Sequence, residues 1–335
     1  MSTISRAVER TDSTAKSAGE AVYLADLRID GALTAGLVLC ERPRARLLGV
    51  EVAPLPEGYF AVGRRDVPGL NAVHMINDSW PLFPEQTVEY VGQPILVIAG
   101  PDPGEVRRLV AATRVEYEDL LPVFGIDGAE ALDAPDCFVD YSVHGSPGPA
   151  DAPPPRETSA SARHQPRAAT GRPTTATESA PALSDPFSAA LTETFDTGAQ
   201  EHLYLETQAM AAWCENGRLT VMGSMQCPFY VKRALEGVFG WEPERIRVVQ
   251  TTTGGAFGGK EEYPSVLACY VAVAAHKSRR PVRIVLDRGE DIRTTTKRHP
   301  SRITLTSRLR QDHTAGEASP RGEASAGGQT GAAND

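Results

Sequence analysis

The stretch IRVVQTTTGGAFGGKEEYPSVLACYVAVAAHKS, residues 246–278, decides the fold of the chain around it. Its β-branched start predicts a strand, its glycine-rich middle a loop, and its long apolar end a buried helix capped by Ser265. Glycines after a strand let backbone N–H groups approach an anionic ligand, and the start of a helix favours negative charge. This strand–loop–helix unit is therefore the candidate functional site.

The same loop offers a nucleotide-binding alternative. Gly254, Gly259 and Lys260 have the G-x-x-x-x-G-K spacing of a phosphate loop. The next residue is Glu261, where a phosphate loop needs Ser or Thr to hold magnesium, and a carboxylate there would repel the phosphates. A P-loop-like nucleotide-binding module is thus the runner-up interpretation, and a glycine-rich turn that only packs is the third.

The segments around the loop predict an α+β protein with two folded parts. Before residue 130, short strand-like runs accompany one helix-like stretch that begins near Glu105. After residue 185, the pair Asn216-Gly217 predicts a hairpin, and an amphipathic helix follows it. Residues 1–17 are polar and predicted to be loose. Residues 144–184 are rich in Pro, Ala, Ser and Thr, which predicts a disordered linker or insertion.

The composition argues against several classes of function. The 335 residues carry 34 Lys and Arg against 43 Asp and Glu, a net charge of −9. Nucleic-acid grooves and anionic membrane surfaces need clustered positive charge, so neither is expected as the main partner. The chain has no apolar run of about 18 residues and no apolar N-terminal signal, so we expect a cytoplasmic protein that does not span a membrane.

The five cysteines are widely spaced, and no CxxC pair occurs among them. This pattern argues against a disulfide scaffold, a zinc ribbon or an iron–sulfur cluster held by this chain. We expect buried free thiols.

The loop GGAFGGKEE at 254–262 resembles the GGGFGGKE loop of the molybdenum hydroxylases, the xanthine dehydrogenase and aldehyde oxidase family. Further segments are similar to that family and stand in its order: AGEAVYLADL at 18–27, VEYVGQPILVIAG at 88–100, RVEYEDLLPVF at 114–124 and GAQEHLYLETQAMAAW at 198–213. The resemblance implies an α/β hammerhead domain at 18–135. It also implies the beginning of the first molybdopterin-binding domain at 185–307.

The resemblance assigns five residues to the cofactor. Gln200 matches the glutamine that hydrogen-bonds the molybdenum oxo ligand, and no residue of the chain is expected to bind the metal directly. Gly255, Phe257, Gly258 and Gly259 match the loop that packs against the cofactor. Gly258 and Gly259 are expected to leave room for the dithiolene and the pterin, and Phe257 to close one wall.

The sequence also predicts roles for two further residues near the site, Glu261 and His202. Glu261 matches the carboxylate that orients substrate in purine-active members, where it can hydrogen-bond a heterocycle and stabilise developing charge. A solvated pair of acids that opens a helix is the alternative for Glu261 and Glu262. His202 is expected to be a structural histidine with its hydrogen bonds satisfied.

The resemblance implies oxidative hydroxylation of a purine-like N-heterocycle, such as xanthine or hypoxanthine, or of an aldehyde. In this family a molybdenum-bound hydroxide attacks the substrate carbon, and hydride passes to a molybdenum-bound sulfide. The implied cofactor is molybdenum–molybdopterin, with the cytosine dinucleotide form left open. The 2Fe-2S clusters and FAD are expected on partner subunits, and a non-catalytic assembly piece of such a complex is a further alternative.

The family's general base lies in a downstream GxGE-type motif, and this sequence contains none. Residues 308–335 lose the apolar residues of the preceding part, which predicts a disordered tail, a truncation or an out-of-frame segment. We therefore expect the chain to represent the N-terminal portion of a molybdenum-binding subunit and to be inactive alone.

Overall fold

The computed structural model describes residues 8, 10–74, 80–131 and 187–310. They belong to two compact units, one formed by residues 1–133 and 197–301, the other by residues 134–196 and 302–335. The helices are α1 Ser13–Ser17, α2 Pro103–Ala112, α3 Gly125–Ala131, α4 Pro228–Phe239, α5 Tyr263–Ser278 and α6 Arg288–Thr294. The strands are β1 Leu33–Leu39, β2 Ala45–Glu51, β3 Phe60–Val62, β4 Ala72–Val73, β5 Trp80–Pro81, β6 Thr87–Val88, β7 Pro94–Gly100, β8 Arg114–Asp119, β9 Phe187–Thr197, β10 Ala209–Glu215, β11 Arg218–Gly223, β12 Ile246–Gln250, β13 Val282–Val285 and β14 Ser301–Arg310.

A seven-stranded mixed sheet forms the centre of the first unit, in the order β12-β11-β10-β13-β1-β7-β3. The hairpin β10–β11 turns at Asn216 and Gly217, as the sequence predicts, and β11 runs parallel to β12. Strand β1 pairs in parallel with β13, with Leu33 opposite Val282. The two segments that the sequence separates as domains therefore contribute strands to the same sheet.

Helix α5 lies buried against this sheet and against α4. Every residue from Tyr263 to Ala275 is buried, because the helix is apolar on all sides. The predicted cap is wrong: the helix begins at Tyr263 after Glu262, and Ser265 lies inside it, where its Oγ has no hydrogen-bond partner among the described residues. The proline at position 264 places the start earlier, since proline suits the first turn of a helix.

The N-terminal part adds a three-stranded antiparallel sheet, β6-β2-β8, and a short pair, β4-β5. The predicted helix near Glu105 is α2, which buries Val106 and Leu109 and is capped by the Asp102 carboxylate. The described part of the segment predicted to be loose includes α1. Mixed helices and strands confirm the α+β class.

In the second unit, β9 and β14 form a two-stranded sheet, and threonine hydroxyls pair across it. Strand β14 runs to Arg310, three residues into the segment predicted to be a tail. The predicted linker at 144–184 and the rest of the tail lie outside the described residues.

The cysteines Cys40, Cys214, Cys227 and Cys269 are free thiols. Cys40 and Cys269 are buried, as predicted, whereas Cys214 and Cys227 are only half-buried. Cys137 lies outside the described residues. Among the helices of the described part, none is long and apolar enough to cross a membrane.

Candidate functional site

The loop between β12 and α5 holds an unusual backbone conformation. Gly255 and Gly258 have φ angles of +96° and +94°, in the region that favours glycine. Phe257 between them is also left-handed, with φ +53°, and its side chain is 80% exposed. A bulky residue with positive φ costs about 1–2 kcal/mol. The loop thus holds a strained residue that presents an aromatic ring to solvent.

Two other glycines are required by close packing. A Cβ atom on Gly259 would lie 2.5 Å from Tyr204 Cε1 and 2.9 Å from His202 Cγ. A Cβ atom on Gly254 would lie 2.6 Å from Glu206 Cβ. Residues 202–206 therefore fill the space on the side of both glycines where a Cβ atom would stand.

The tip of the loop carries unused hydrogen-bond donors. Among the described residues, the N–H groups of Gly255, Ala256 and Phe257 donate to no protein acceptor, whereas the N–H groups of Gly254 and Gly258 are bonded. Successive free N–H groups in a backbone that includes left-handed residues form a concave site for oxygen anions.

The tip faces a cleft of about 660 Å³. Gly255 and Phe257 line it, together with the exposed side chains of Leu203 and Leu205 and the ammonium-bearing side chain of Lys16. Two carboxylates also line the cleft, those of Asp26 and Glu206, and Glu206 is paired with Lys260. With that acid paired, the free N–H donors, the apolar walls and the ammonium of Lys16 favour an aromatic ligand that carries anionic oxygens. The residues present therefore fit a pterin cofactor.

A buried ion pair holds both ends of the loop. Lys260 is fully buried; its Nζ lies 2.8 Å from Glu206 Oε2 and donates to Ser224 Oγ at 2.9 Å. The same Glu206 oxygen accepts from the N–H of Gly254 at 2.7 Å. Desolvation lowers the pKa of Lys260 although the ion pair with Glu206 opposes it.

This burial corrects the phosphate-loop alternative. A phosphate-loop lysine must reach the phosphates of its nucleotide. In this chain the ammonium of Lys260 is engaged by Glu206 and Ser224 beneath the loop and is absent from the lining of the cleft.

A second polar network lies behind the loop. Gln208 Nε2 donates to the carbonyl of Gly259 at 2.8 Å and to Tyr204 Oη at 2.9 Å. Tyr204 Oη donates to Asp291 Oδ1 at 2.9 Å, and Arg288 donates to the Tyr204 carbonyl at 2.6 Å. Desolvation raises the pKa of both Tyr204 and Asp291. The network fixes the Gly259 carbonyl against α6.

Gln226 supports the other side of the loop. Its Oε1 accepts from the N–H of Gly258 at 3.1 Å and from the N–H of Lys260 at 3.3 Å. Sequence reasoning missed Gln226, Glu206, Gln208 and Asp291. The signal available for Gln226 was its place just before the Cys227-Pro228 helix start.

The remaining predicted residues are spread around the loop. Gly255 and Phe257 line the cleft, whereas Gln200 and Glu261 do not. Gln200 is exposed, and its backbone pairs with that of Arg298. Glu261 is exposed near Cys227, and desolvation and the charges of Glu261 and Glu262 raise the pKa of the Cys227 thiol.

His202 packs beside the loop, with its ring near Gly258 and Gly259. Its Nδ1 is buried without a hydrogen-bond partner among the described residues, so the expectation of a satisfied histidine is wrong. The packing role itself agrees with the expectation, because the ring fills the space beside Gly259.

Comparison with known proteins agrees with the family that the loop sequence resembles. Residues 18–121 match the model of the aldehyde oxidase and xanthine dehydrogenase a/b hammerhead domain. Residues 166–316 match the molybdopterin cofactor-binding domain. Together these ranges cover most of the chain, in the order that the sequence predicts.

Individual relatives agree with these matches. The chain is 34% identical over 289 residues to a nicotinate hydroxylase of Emericella nidulans, covering 84% of this chain and 19% of that protein. It is 26% identical to the nicotinate dehydrogenase large molybdopterin subunit of Eubacterium barkeri, covering 87% of this chain and 63% of the relative. The fold resembles quinoline 2-oxidoreductase from Pseudomonas putida 86, with a TM-score of 0.67, 20% identity and coverage of 90% and 37%.

The protein belongs to the molybdenum hydroxylase family of xanthine dehydrogenase and aldehyde oxidase. It contains that family's hammerhead domain followed by its molybdopterin cofactor-binding domain. The chain spans less than two thirds of the length of either relative.

Proposed function

We propose that this chain supplies the cofactor loop of a molybdenum hydroxylase that oxidises an N-heterocycle. The observation that carries the proposal is the run of N–H groups from Gly255 to Phe257 without a protein acceptor among the described residues, in a loop whose Gly255 and Phe257 line the cleft. These donors suit the anionic oxygens of molybdopterin. When bound, molybdenum–molybdopterin supplies oxidative hydroxylation of an electron-poor carbon.

In this proposal, the chain's own residues bind the cofactor and hold the loop in position. Gly255 and Phe257 line the cleft and carry free N–H donors, and the exposed Phe257 ring supplies an aromatic surface against which a bound cofactor would pack. Gln226 and Glu206 keep the two halves of the loop in place. Gln200 lies outside the lining of the cleft. Its proposed role as a donor to the molybdenum oxo ligand therefore rests on the resemblance and on the chemistry of a neutral amide, which can donate without competing as a ligand.

The substrate class rests on Glu261 and on the relatives. Glu261 is exposed at the end of the loop, where its carboxylate is free to accept a hydrogen bond from a heterocycle. The two relatives above are named for nicotinate, itself an N-heterocycle. A purine-like substrate is the specific form of this proposal, and an aldehyde is its alternative.

Partner chains complete the proposal. The described residues hold no group of three or more His, Cys, Asp or Glu that could bind a metal ion. The Eubacterium relative is a large molybdopterin subunit. We propose 2Fe-2S and FAD subunits as partners, a cytoplasmic location, and either form of the pterin, with or without cytosine nucleotide. The sequence contains no GxGE motif, so no general base is assigned to this chain, and we expect the isolated chain to be inactive.

The test is the cofactor content of the protein isolated from its own cells, together with the chains that accompany it. We expect pterin, detected by fluorescence after oxidation, and molybdenum, in about equal amounts per chain. Magnesium-dependent ATP binding by a protein that carries no pterin would overturn the proposal in favour of a nucleotide-binding module.

Glu261→Gln tests the substrate class. In the complete complex with its partner chains, this substitution should lower kcat/KM for hypoxanthine about ten-fold or more, with little effect on an aromatic aldehyde. Glu262→Gln is the matched control. Equal losses for both substrates would reject Glu261 as a residue that orients a heterocycle.

A further inference from the structure

We propose that Lys16, in the N-terminal segment, is a positioning residue for the cofactor loop. Its Nζ lies 2.7 Å from Asp12 Oδ2 and donates to the carbonyl of Thr253 at 3.1 Å. Thr253 directly precedes the glycines of the loop, 237 residues further along the chain. The inference rests on the proposed function only where it concerns the cofactor.

The segment from Asp12 to Asp26 packs against the entrance of the loop. It carries α1, which presents Lys16, and it continues to Tyr23, whose Cε1 would lie 3.1 Å from a Cβ atom on Gly254. Lys16 and Tyr23 line the same cleft as Thr253 and Gly254. The N-terminal segment thus forms one wall of the candidate site.

The peptide unit between Thr253 and Gly254 is held from both sides. Its carbonyl accepts from Lys16, and its N–H donates to Glu206 Oε2 at 2.7 Å. A peptide unit is planar, so fixing its oxygen and its hydrogen fixes its orientation. The free donors of residues 255–257 follow immediately, and their direction depends on this plane.

Lys16 combines a charged hydrogen bond with an ion pair at a site that is 27% exposed. Loss of a charged hydrogen bond at such a site shifts a local opening equilibrium by several-fold. Glu206 keeps the N–H side in place in the absence of Lys16, so we expect a looser loop in a folded chain.

Lys277 offers a matched control. Its Nζ pairs with Asp66 Oδ1 at 2.7 Å and donates to the carbonyl of Ala61 at 2.8 Å, on a side chain that is 40% exposed. It reproduces the contacts of Lys16, but it does not line the cleft. Lys277→Met therefore removes the same kinds of contact away from the loop.

The test is hydrogen–deuterium exchange of peptides within 251–262 in the full chain. Lys16→Met should speed their exchange about five-fold, whereas Lys277→Met should leave it at the wild-type rate. Lys16→Arg, which keeps a charged donor, should stay within about two-fold of wild type. Equal exchange in Lys16→Met and Lys277→Met would overturn the inference.

Pterin retention during dialysis of the complex supplies the second readout. Lys16→Met should lose pterin about five-fold faster than Lys277→Met, and Lys16→Arg should restore most of the difference. A loop that exchanges faster but retains pterin equally would overturn the positioning role. A wild-type complex without pterin would contradict the proposed function, and the exchange experiment would still decide whether Lys16 holds the loop.

Discussion

Lys260 Nζ and Glu206 Oε2 lie 2.8 Å apart, with the lysine side chain fully buried. The Glu206 carboxylate also accepts from the N–H of Gly254, so one acid holds both ends of the loop. The only lysine of the motif thereby serves the protein's own structure, and the groups of the loop without a protein partner among the described residues are the backbone N–H donors of residues 255–257.

The Lys260→Met variant should be strongly destabilised, because it leaves the Glu206 carboxylate partly buried without its cation. We expect a loss of about 3–5 kcal/mol in the free energy of unfolding, measured by urea denaturation. Arg46→Met, which breaks the exposed pair with Glu118, should cost at most about 1 kcal/mol.

The double variant Glu206→Gln/Lys260→Met should be more stable than Lys260→Met alone, since it removes the unpaired charge. A Lys260→Met loss below about 1 kcal/mol would show that water already reaches this pair.

Phe257→Gly should stabilise the cofactor-free protein and weaken cofactor retention. Glycine relieves the left-handed strain at φ +53°, which contributes about 1 kcal/mol, but it removes the ring from the cleft wall. Arg279→Gly, at φ +56° after α5, should give a similar stability gain with unchanged pterin retention. Identical retention in the two variants would mean that the Phe257 ring does not contact the cofactor.

Alkaline pH should destabilise the fold through Cys269. Burial raises the pKa of this thiol well above its ordinary value of 9.0. The folded protein then keeps a proton that the unfolded chain releases, so the thiol's contribution is complete below about pH 9 and is lost as the pH rises toward the folded-state pKa. Each pH unit in that window lowers the free energy of unfolding by about 1.4 kcal/mol.

Urea denaturation between pH 7 and 10.5 checks this claim in wild type and Cys269→Ala. Below pH 8 the two curves should differ by a constant offset. Between pH 9 and pH 10.5, the free energy of unfolding of the variant should fall by about 2 kcal/mol less than that of wild type. Parallel curves over the whole range would place the thiol in water.

Gln226→Ala should loosen the second half of the loop. It frees the N–H groups of Gly258 and Lys260, and we expect about 1 kcal/mol of lost stability and faster pterin release. Gln93→Ala removes a comparable amide oxygen that accepts from the N–H of Glu89, away from the loop. It should lower stability without affecting pterin; equal pterin release in both variants would refute a local role of Gln226.

The strands and helices near the loop were predictable because their signals are local. The Asn216-Gly217 turn, the β-branched strand at 246–250 and the apolar run from Tyr263 each encode their element within a few residues. The helix start was predicted wrongly at Ser265, because a serine before an apolar run is typical of an N-cap. Pro264 already lies in the first turn of the helix.

The supports of the loop were not predictable, because they come from distant positions. Glu206, Gln226 and Asp291 lie tens of residues from the glycines that they support, and nothing in their local sequence indicates a partner. Gly92 illustrates the same limit: a Cβ atom there would meet the backbone of Arg293, 201 residues later. Side chains that meet only after the sheet assembles carry no periodic signal.

The most direct test of the cofactor loop compares pterin and molybdenum content in Gly255→Ala and Gly31→Ala. Both glycines have positive φ angles, +96° and +68°, which L side chains rarely adopt, so both substitutions strain the backbone. Only Gly255 lies in the loop that faces the cleft. We predict that Gly255→Ala retains less than about a tenth of the wild-type cofactor and that Gly31→Ala retains nearly all of it. Equal cofactor content in the two variants would contradict the assignment of this loop to molybdopterin.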